Sequence, residues 1–216
     1  MMRTSSLGSG QIEARSLEIV SKLLPGFDRS QPEWPLLQRM VHATGDPSVA
    51  HLLRIHPRAV EAGVRALRSG CAIITDVGMV SAGISHSIAA SLGCEIVCAI
   101  AEPAVIRLAQ EQGITRSAAA MRYLSARLAG SIVAIGNAPT ALLAVLDALD
   151  AGFAVPALIV GTPVGFVGAA EAKAELATRA EPTVPYITLE GTRGGSAIAV
   201  AAVNALLRLA AKGGAS

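Results

Sequence analysis

From residue 71 onward the chain alternates short β-branched runs with alanine-rich stretches, and this alternation constrains the fold more than any other feature. The five apolar runs cover residues 71–75, 95–99, 131–135, 157–160 and 184–189. Each is soon followed by Gly, Pro or Asn and then by sequence of helical character. Such runs are typical of parallel strands that helices cover on both faces. The pattern predicts an α/β fold of Rossmann-like, three-layer type, with a mostly parallel, roughly five-stranded open sheet.

The rest of the pattern divides the chain into two parts of one predicted domain, residues 1–216. Apolar spacing predicts helices over residues 11–24, 32–43 and 57–68, so that a helical N-terminal part covers about 11–70. The crossover α/β part covers about 71–211. The run 184–189 contains Pro185, which has no backbone N–H for a sheet ladder, so an edge strand is predicted there.

Composition argues against two classes of partner. The net charge is +2, its charges are interspersed, and aromatic residues make up 3% of the chain, so nothing indicates a nucleic-acid surface. The apolar run 197–207 contains Asn204 and ends at Arg208, which makes it shorter than the roughly 18 to 20 residues of a membrane-spanning helix. The first ten residues lack the apolar core of a signal peptide. A cytoplasmic protein is predicted.

The three cysteines indicate neither a disulfide framework nor a metal site. Cys94 and Cys98 are the only close pair, and on a strand their sulfurs would lie about 13 Å apart. One metal ion could not join them. Both are interpreted as small core residues, and no metal is expected.

His42 and Arg39 are three residues apart in Arg-Met-Val-His, just before a Gly-Asp break. On a helix this spacing places both side chains on one face. Histidine can exchange a proton near neutral pH, and a guanidinium can hold a carboxylate. The pair is therefore a candidate acid with a substrate anchor, although a lone helical histidine is more often structural.

Two glycine-rich loops follow predicted strands. Gly161, Gly165 and Gly168 lead into a helix, and Gly-Thr-Arg-Gly-Gly-Ser covers residues 191–196. Lys173 comes too late for a Walker A loop, and the glycine spacing departs from the dinucleotide fingerprint. The loops are expected to receive carboxylates at helix N-termini, or to serve tight packing alone. Arg193 is expected to reach into the cleft, and Ser196 either to cap the next helix or to contact a ligand.

Three segments that follow His42 in order, residues 137–142, 161–171 and 191–196, resemble the precorrin-8X methylmutases, or precorrin isomerases, of corrin biosynthesis. The resemblance covers about residues 12–207. It implies an isomerase that moves a methyl group from carbon-11 to carbon-12 of a tetrapyrrole, converting precorrin-8X to hydrogenobyrinate. It also implies no cofactor and a homodimer with the active site near the subunit interface.

The resemblance implies His42 as proton donor or acceptor to the ring nitrogens. Ser16 and Arg39 match substrate contacts of the family, and Arg116, in a segment that also resembles the family, is a candidate partner for a substrate carboxylate. Asn137, Arg193 and Ser196, at the ends of predicted strands, are further candidate substrate contacts. The chain departs from the family pattern around Val77, Gly78 and Thr192, so contacts there stay open. His51, His56 and His86 match no catalytic position and are expected at the surface or in packing.

Three alternatives stay open at this point. The substrate could be the cobalt-containing precursor of the anaerobic pathway, or the chain could bind corrinoids without turnover. A nucleotide-dependent oxidoreductase is disfavoured by the missing fingerprint and by the lack of the acidic residue expected after it. The Arg-Met-Val-His context favours an enzyme over a carrier, because a carrier needs no titrating group at the reacting ring.

Overall fold

The computed structural model of the chain describes residues 8–181 and 183–212, through which a six-stranded sheet runs. The strands are β1 (Leu53–Ile55), β2 (Ile73–Thr75), β3 (Ile96–Val97), β4 (Ile132–Ile135), β5 (Leu158–Gly161) and β6 (Tyr186–Leu189), in the order β1-β6-β5-β4-β2-β3. All pairs are parallel except β1 with β6. The predicted mostly parallel α/β sheet is confirmed, and each of the five predicted runs contains a strand.

Helices cover both faces of the sheet, as predicted for a three-layer fold. They are α1 (Ser9–Leu23), α2 (Trp34–Thr44), α3 (Ala59–Arg68), α4 (Gly78–Gly83), α5 (His86–Ser91), α6 (Pro103–Gln112), α7 (Arg116–Tyr123), α8 (Pro139–Asp150), α9 (Ala169–Arg179) and α10 (Ser196–Lys212). One apolar core packs helices α1, α2, α3, α4, α5 and α10 against one face of the sheet. A second core packs α6, α7, α8 and α9 against the other face. Ile132 and Ala134 enter the first core and Val133 and Ile135 the second, because successive strand residues point to opposite faces.

The sheet edge differs from the expectation. Strand β6 lies between β5 and β1, so the prediction of an edge strand at residues 184–189 is wrong. Pro185 precedes the first residue of β6, and its carbonyl still accepts the Ile159 N–H, at 3.1 Å. Because Pro185 lies outside β6, its missing backbone N–H removes no hydrogen bond from the residues of this strand.

Strand β1 lies inside the part of the chain predicted to be helical. It is only three residues long and pairs antiparallel with β6, with Leu53 opposite Leu189. A strand of this length has no measurable periodicity, so it could not be predicted from the sequence pattern. Within the described residues, no helix is both long and apolar enough to cross a bilayer.

The carboxyl ends of the parallel strands β2, β4, β5 and β6 all lie on the same side of the sheet. Open α/β sheets bind ligands beyond these strand ends. Gly45 caps the C-terminus of helix α2, and its left-handed backbone (φ 65°) lets its N–H donate to the Val41 and His42 carbonyls. The chain then turns into Asp46, which an ion pair joins to the loop after β6. His42 therefore lies in the last turn of a helix that ends beside the strand-end loops.

Candidate active site

Ser16 and His42 form a contact between α1 and α2. Ser16 Oγ lies 3.0 Å from Nδ1 of His42, whose side chain is otherwise exposed. The hydroxyl can donate to Nδ1 or accept from it, so either tautomer of the ring fits this contact. None of the described residues hydrogen-bonds Nε2 of His42. The arrangement fixes the ring through one nitrogen and leaves the other for a ligand.

A second contact between the same two helices stands one turn away. Arg39 Nη1 donates to Glu13 Oε1 at 2.7 Å, and Arg208 Nη2 of α10 lies 3.4 Å from the same oxygen. The hydrogen bond from Arg39 is the main cause that lowers the pKa of Glu13, and His42 adds a smaller electrostatic effect. Two guanidiniums thus share one carboxylate beside His42, which leaves a surplus of positive charge for an anionic ligand.

Arg193 projects from the loop between β6 and α10 towards the end of α2. Its Nη1 lies 2.7 Å from Asp46 Oδ2 and 2.7 Å from Ser48 Oγ. Asp46 also accepts the Ser48 N–H, and the Ser48 hydrogen bonds are the first cause that lowers the pKa of Asp46. Sequence spacing alone does not connect Asp46 with Arg193, because 147 residues separate them.

The guanidinium of Arg193 has a second edge, formed by Nε and Nη2, and no described residue accepts a hydrogen bond from it. Its side chain is 52% exposed. Arginine binds carboxylates in a bidentate manner through a pair of N–H groups. Arg193 can therefore hold a ligand carboxylate on one edge while Asp46 and Ser48 hold the other.

Asp76 fastens the end of β2 to the loop that carries Asn137. Its buried carboxylate accepts the N–H groups of Gly136, Asn137 and Ala138 at 3.1, 2.8 and 2.8 Å. Burial raises the pKa of Asp76, while these three hydrogen bonds act in the opposite direction. The sequence placed Asp76 at a strand end without assigning it this role. These hydrogen bonds to Asp76 fix the backbone of Asn137, whose side chain is exposed.

Asn137 and Ser196 are brought together by a close approach of two chain segments. A Cβ built on Gly136 would lie 2.7 Å from the Cα of Ser196, a distance that only glycine permits. Ser196 is the first residue of α10, and the Gly195 carbonyl accepts the N–H groups of Ile198 and Ala199. The prediction that Ser196 caps this helix is therefore wrong, because Gly195 occupies the position before it.

Arg116 stands at the start of α7 with an exposed side chain. The preceding residue, Thr115, caps the helix by accepting the Ala118 N–H. The Thr115 hydroxyl also lies 2.7 Å from that of Thr140 in the first turn of α8. This contact places Arg116 beside the helix that begins just after Asn137.

The glycine loops pack against each other and against helices. A Cβ on Gly161 would lie 2.6 Å from Leu176 Cδ2, which shows tight packing between strand and helix. A Cβ on Gly194 would clash with the Thr162 carbonyl oxygen, and the Gly195 N–H donates to that same oxygen at 2.8 Å. The loops after β5 and β6 therefore run backbone against backbone.

The residues at departures from the family pattern have backbone roles. Val77 is half-buried and precedes α4, whose first residue is the exposed Gly78. Thr192 accepts the Gly165 N–H through its carbonyl, at 3.1 Å. Neither of these positions shows a side-chain hydrogen bond within the described residues.

The remaining histidines have packing or surface positions, in agreement with the expectation. They are His51, whose ring lies 5.2 Å from that of Phe27, His56, which pairs with Glu181 at 2.9 Å, and the exposed His86, 3.1 Å from the Ser81 carbonyl. The three cysteines are free. Burial is the main cause that raises the pKa of Cys71 to about 12, which makes this thiol a poor nucleophile.

Comparisons with known proteins identify relatives of this chain. The family model described as "Precorrin-8X methylmutase" matches residues 11–209. A precorrin-8X methylmutase of Pseudomonas aeruginosa is 49% identical over 171 residues, 79% of this chain and 81% of its own. A cobalt-precorrin-8 methylmutase of Priestia megaterium is 39% identical over 203 residues, 94% of this chain and 89% of its own. The crystal structure of a precorrin-8x methyl mutase from Thermus thermophilus superposes with a TM-score of 0.85 at 42% identity, covering 94% of this chain and 98% of that one.

The three-layer fold and a histidine one helical turn from Arg39, taken with these relatives, define an isomerase of the methylmutase class. The chain belongs to the precorrin-8X methylmutase family of cobalamin biosynthesis.

Proposed function

We propose that the chain catalyses the conversion of precorrin-8X to hydrogenobyrinate by moving a methyl group from carbon-11 to carbon-12 of the macrocycle. The observation that carries this proposal is the Ser16–His42 contact, which orients a histidine and leaves its Nε2 open beside Arg39. The relative named for the metal-free substrate is 49% identical, and the relative named for the cobalt substrate 39%. This difference favours the metal-free substrate.

The proposed reaction is an isomerisation, so the atoms of substrate and product balance without a co-reactant. One carbon–carbon bond breaks at carbon-11 and one forms at carbon-12, in a pericyclic shift that depends on the correct tautomer of the ring system. His42 supplies or removes a proton at a ring nitrogen through Nε2. With Nδ1 protonated, the Ser16 hydroxyl accepts the Nδ1–H both before and after Nε2 gains or loses its proton, so the contact holds the ring in both protonation states.

The remaining proposed contacts bind and orient the carboxylate-bearing rim of the tetrapyrrole. Arg39, Arg116 and Arg193 supply guanidiniums, and Asn137 and Ser196 supply uncharged polar groups at the strand ends. Tight orientation of a large planar ligand selects the reactive conformation and reduces the entropy lost on the way to the transition state. We assign no cofactor to this reaction.

We further propose one domain over residues 1–216, a homodimer, and a cytoplasmic location. Support for the homodimer comes from large apolar side chains exposed beside the strand ends: Phe166 is 94% exposed, Val167 89% and Met79 73%. Clusters of this kind often mark protein interfaces. Light scattering of the purified protein tests the dimer, and a monomer at micromolar concentration would refute it.

The decisive experiment mixes the purified protein with precorrin-8X and follows the absorption spectrum. Formation of hydrogenobyrinate by the wild type, and none without protein, is expected. A parallel reaction with cobalt-precorrin-8 tests the alternative substrate, and binding of either compound without spectral conversion would show a carrier instead. Hydrogenobyrinate should also raise the melting temperature as RT ln(1 + [L]/Kd) predicts, whereas NAD or ATP should not.

A further inference from the structure

Lys173 is a buried lysine, and the unfavourable free energy of burying its charged group calls for an explanation. Its side chain lies in α9 and is 2% exposed, and burial lowers its pKa to about 8. Among the described residues no carboxylate forms an ion pair with its ammonium group. A buried charge without such a partner destabilises a fold, and an apolar side chain of similar length would fill the space at lower cost.

The contact that Lys173 does make is with the strand-end loop. Its Nζ donates to the backbone carbonyl of Arg193, in the middle of residues 191–195. Two backbone contacts hold the neighbouring residues: Gly165 N–H to the Thr192 carbonyl and Gly195 N–H to the Thr162 carbonyl. Lys173 therefore supplies the contact at the one loop residue whose side chain reaches towards the end of α2.

The space around Lys173 shows what the loop could do without it. A cavity of about 300 Å³ adjoins Lys173 and is also lined by Gly191, Arg54, Tyr186 and Glu190. Gly191 has a left-handed backbone (φ 74°), and Gly195 also has a positive φ, of 126°. A loop with glycines at both ends and a cavity beside it can shift when its central hydrogen bond is lost.

We propose that Lys173 is a positioning residue that sets the backbone of Arg193, so that the Nε–Nη2 edge of this arginine meets a carboxylate of the corrinoid. The inference rests on the proposed function, because it assigns Arg193 to the substrate. Lys173 acts on the ligand only through Arg193. Its removal therefore weakens binding and leaves the proton transfer at His42 in place.

The test compares Lys173→Met with the wild type. Titration with hydrogenobyrinate is expected to give a Kd raised about tenfold, the effect of losing much of one charge-assisted hydrogen bond. The KM for precorrin-8X rises in step, while kcat changes little, because the loss is one of uniform binding. The melting temperature stays the same or rises, since a buried charge has been removed. Lys22→Met, at a lysine 70% exposed on α1, is the control and binds like the wild type.

A double-mutant cycle separates positioning from a general structural role. In the Arg193→Ala background, Lys173→Met is expected to add almost nothing to the loss of affinity, because its effect passes through the missing guanidinium. An undiminished effect in that background, or wild-type affinity of Lys173→Met, overturns the inference. A fall of kcat together with the melting temperature overturns it as well.

Two further results keep the test decisive. If Lys173→Met does not fold, Lys173→Gln, which keeps an N–H donor without the charge, is measured in the same cycle. If the wild type itself neither binds hydrogenobyrinate nor converts precorrin-8X, the proposed function fails. If the wild type does both and the variants match it, only the role of Lys173 fails.

Discussion

Ser16 Oγ on α1 lies 3.0 Å from His42 Nδ1 on α2, and the two residues are 26 positions apart in the sequence. Glu13 and Arg39 are separated by the same 26 positions and meet one turn further along. Residues three apart on each helix therefore form a matched pair of contacts. This double contact, rather than burial, orients the ring of the exposed His42.

His42→Ala should bind the product and lose most turnover. Acid–base groups of this kind contribute about 10²- to 10⁴-fold to rate. The exposed position of His42 means that the substitution leaves no cavity in the core, so the melting temperature should hold. The measurement is kcat at saturating precorrin-8X together with the Kd of hydrogenobyrinate. Near-wild-type turnover in this variant would remove His42 from the mechanism.

Ser16→Ala should reduce kcat by more than it weakens the binding of hydrogenobyrinate. The ring of His42 loses its Nδ1 partner, and one hydrogen bond of about 0.5 to 1.5 kcal/mol corresponds to a fall of about two- to tenfold. Ser21→Ala is a matched control, because Ser21 also lies on α1 and contacts α2 through Gln38. If Ser21→Ala slows the reaction as much as Ser16→Ala, the effect belongs to helix packing.

The sheet was predictable because its buried strands carry continuous β-branched runs, and β4 (Ile132–Ile135) is buried at every position. Strand β1 was not predictable, because three residues carry no period and its partner β6 is more than 130 residues away. The prediction of an edge strand from Pro185 failed for a different reason. The proline lies just outside the strand, so the rule against proline in interior strands did not apply.

The candidate site was predictable where a family pattern marks residue types and not where the fold creates the contact. His42 and Ser16 were each implied by resemblance, but their 3.0 Å contact is a tertiary fact. The ion pair of Arg193 with Asp46 and the three amides on Asp76 join distant segments, and local spacing cannot encode them. The spacing around Lys173 excludes a Walker A lysine, but nothing in the local sequence indicates that its side chain is buried.

Arg39→Ala should weaken hydrogenobyrinate binding by about 1 to 3 kcal/mol, the value of a charge-assisted hydrogen bond. Glu13→Gln leaves the guanidinium in place without its charged partner and should bind at least as tightly as the wild type. Arg65→Ala removes an exposed arginine that is also paired with a glutamate, and serves as control. Titrations of the four proteins decide the matter. Equal Kd values for Arg39→Ala and wild type would assign Arg39 to the α1–α2 contact alone.

Lys173 should make a contribution to the stability of the wild type that rises with pH. Its pKa is about 8 in the folded chain and about 10.4 when unfolded. Between these values the unfolded state binds the proton and the folded state does not, so the free energy of unfolding increases with pH. Lys173→Met lacks this contribution. Urea unfolding of both proteins at pH values from about 7 to 10 tests the difference. Curves that run parallel would contradict a depressed pKa at Lys173.

Gly136→Ala should destabilise the fold and weaken product binding together. The new Cβ would lie 2.7 Å from Ser196 Cα and 2.8 Å from Val80 Cγ2, so the start of α10 has to move. Overpacking of this kind costs about 1 to 3 kcal/mol. The same movement separates Ser196 from Asn137, which lowers affinity for hydrogenobyrinate. Gly10→Ala is the control, because Gly10 is exposed and its added Cβ would meet no atom within 4 Å outside the neighbouring residues of its own helix. That control should stabilise by up to about 1 kcal/mol. Urea unfolding and product titration measure both effects, and a Gly136→Ala protein as stable as the wild type would show that α10 yields without cost.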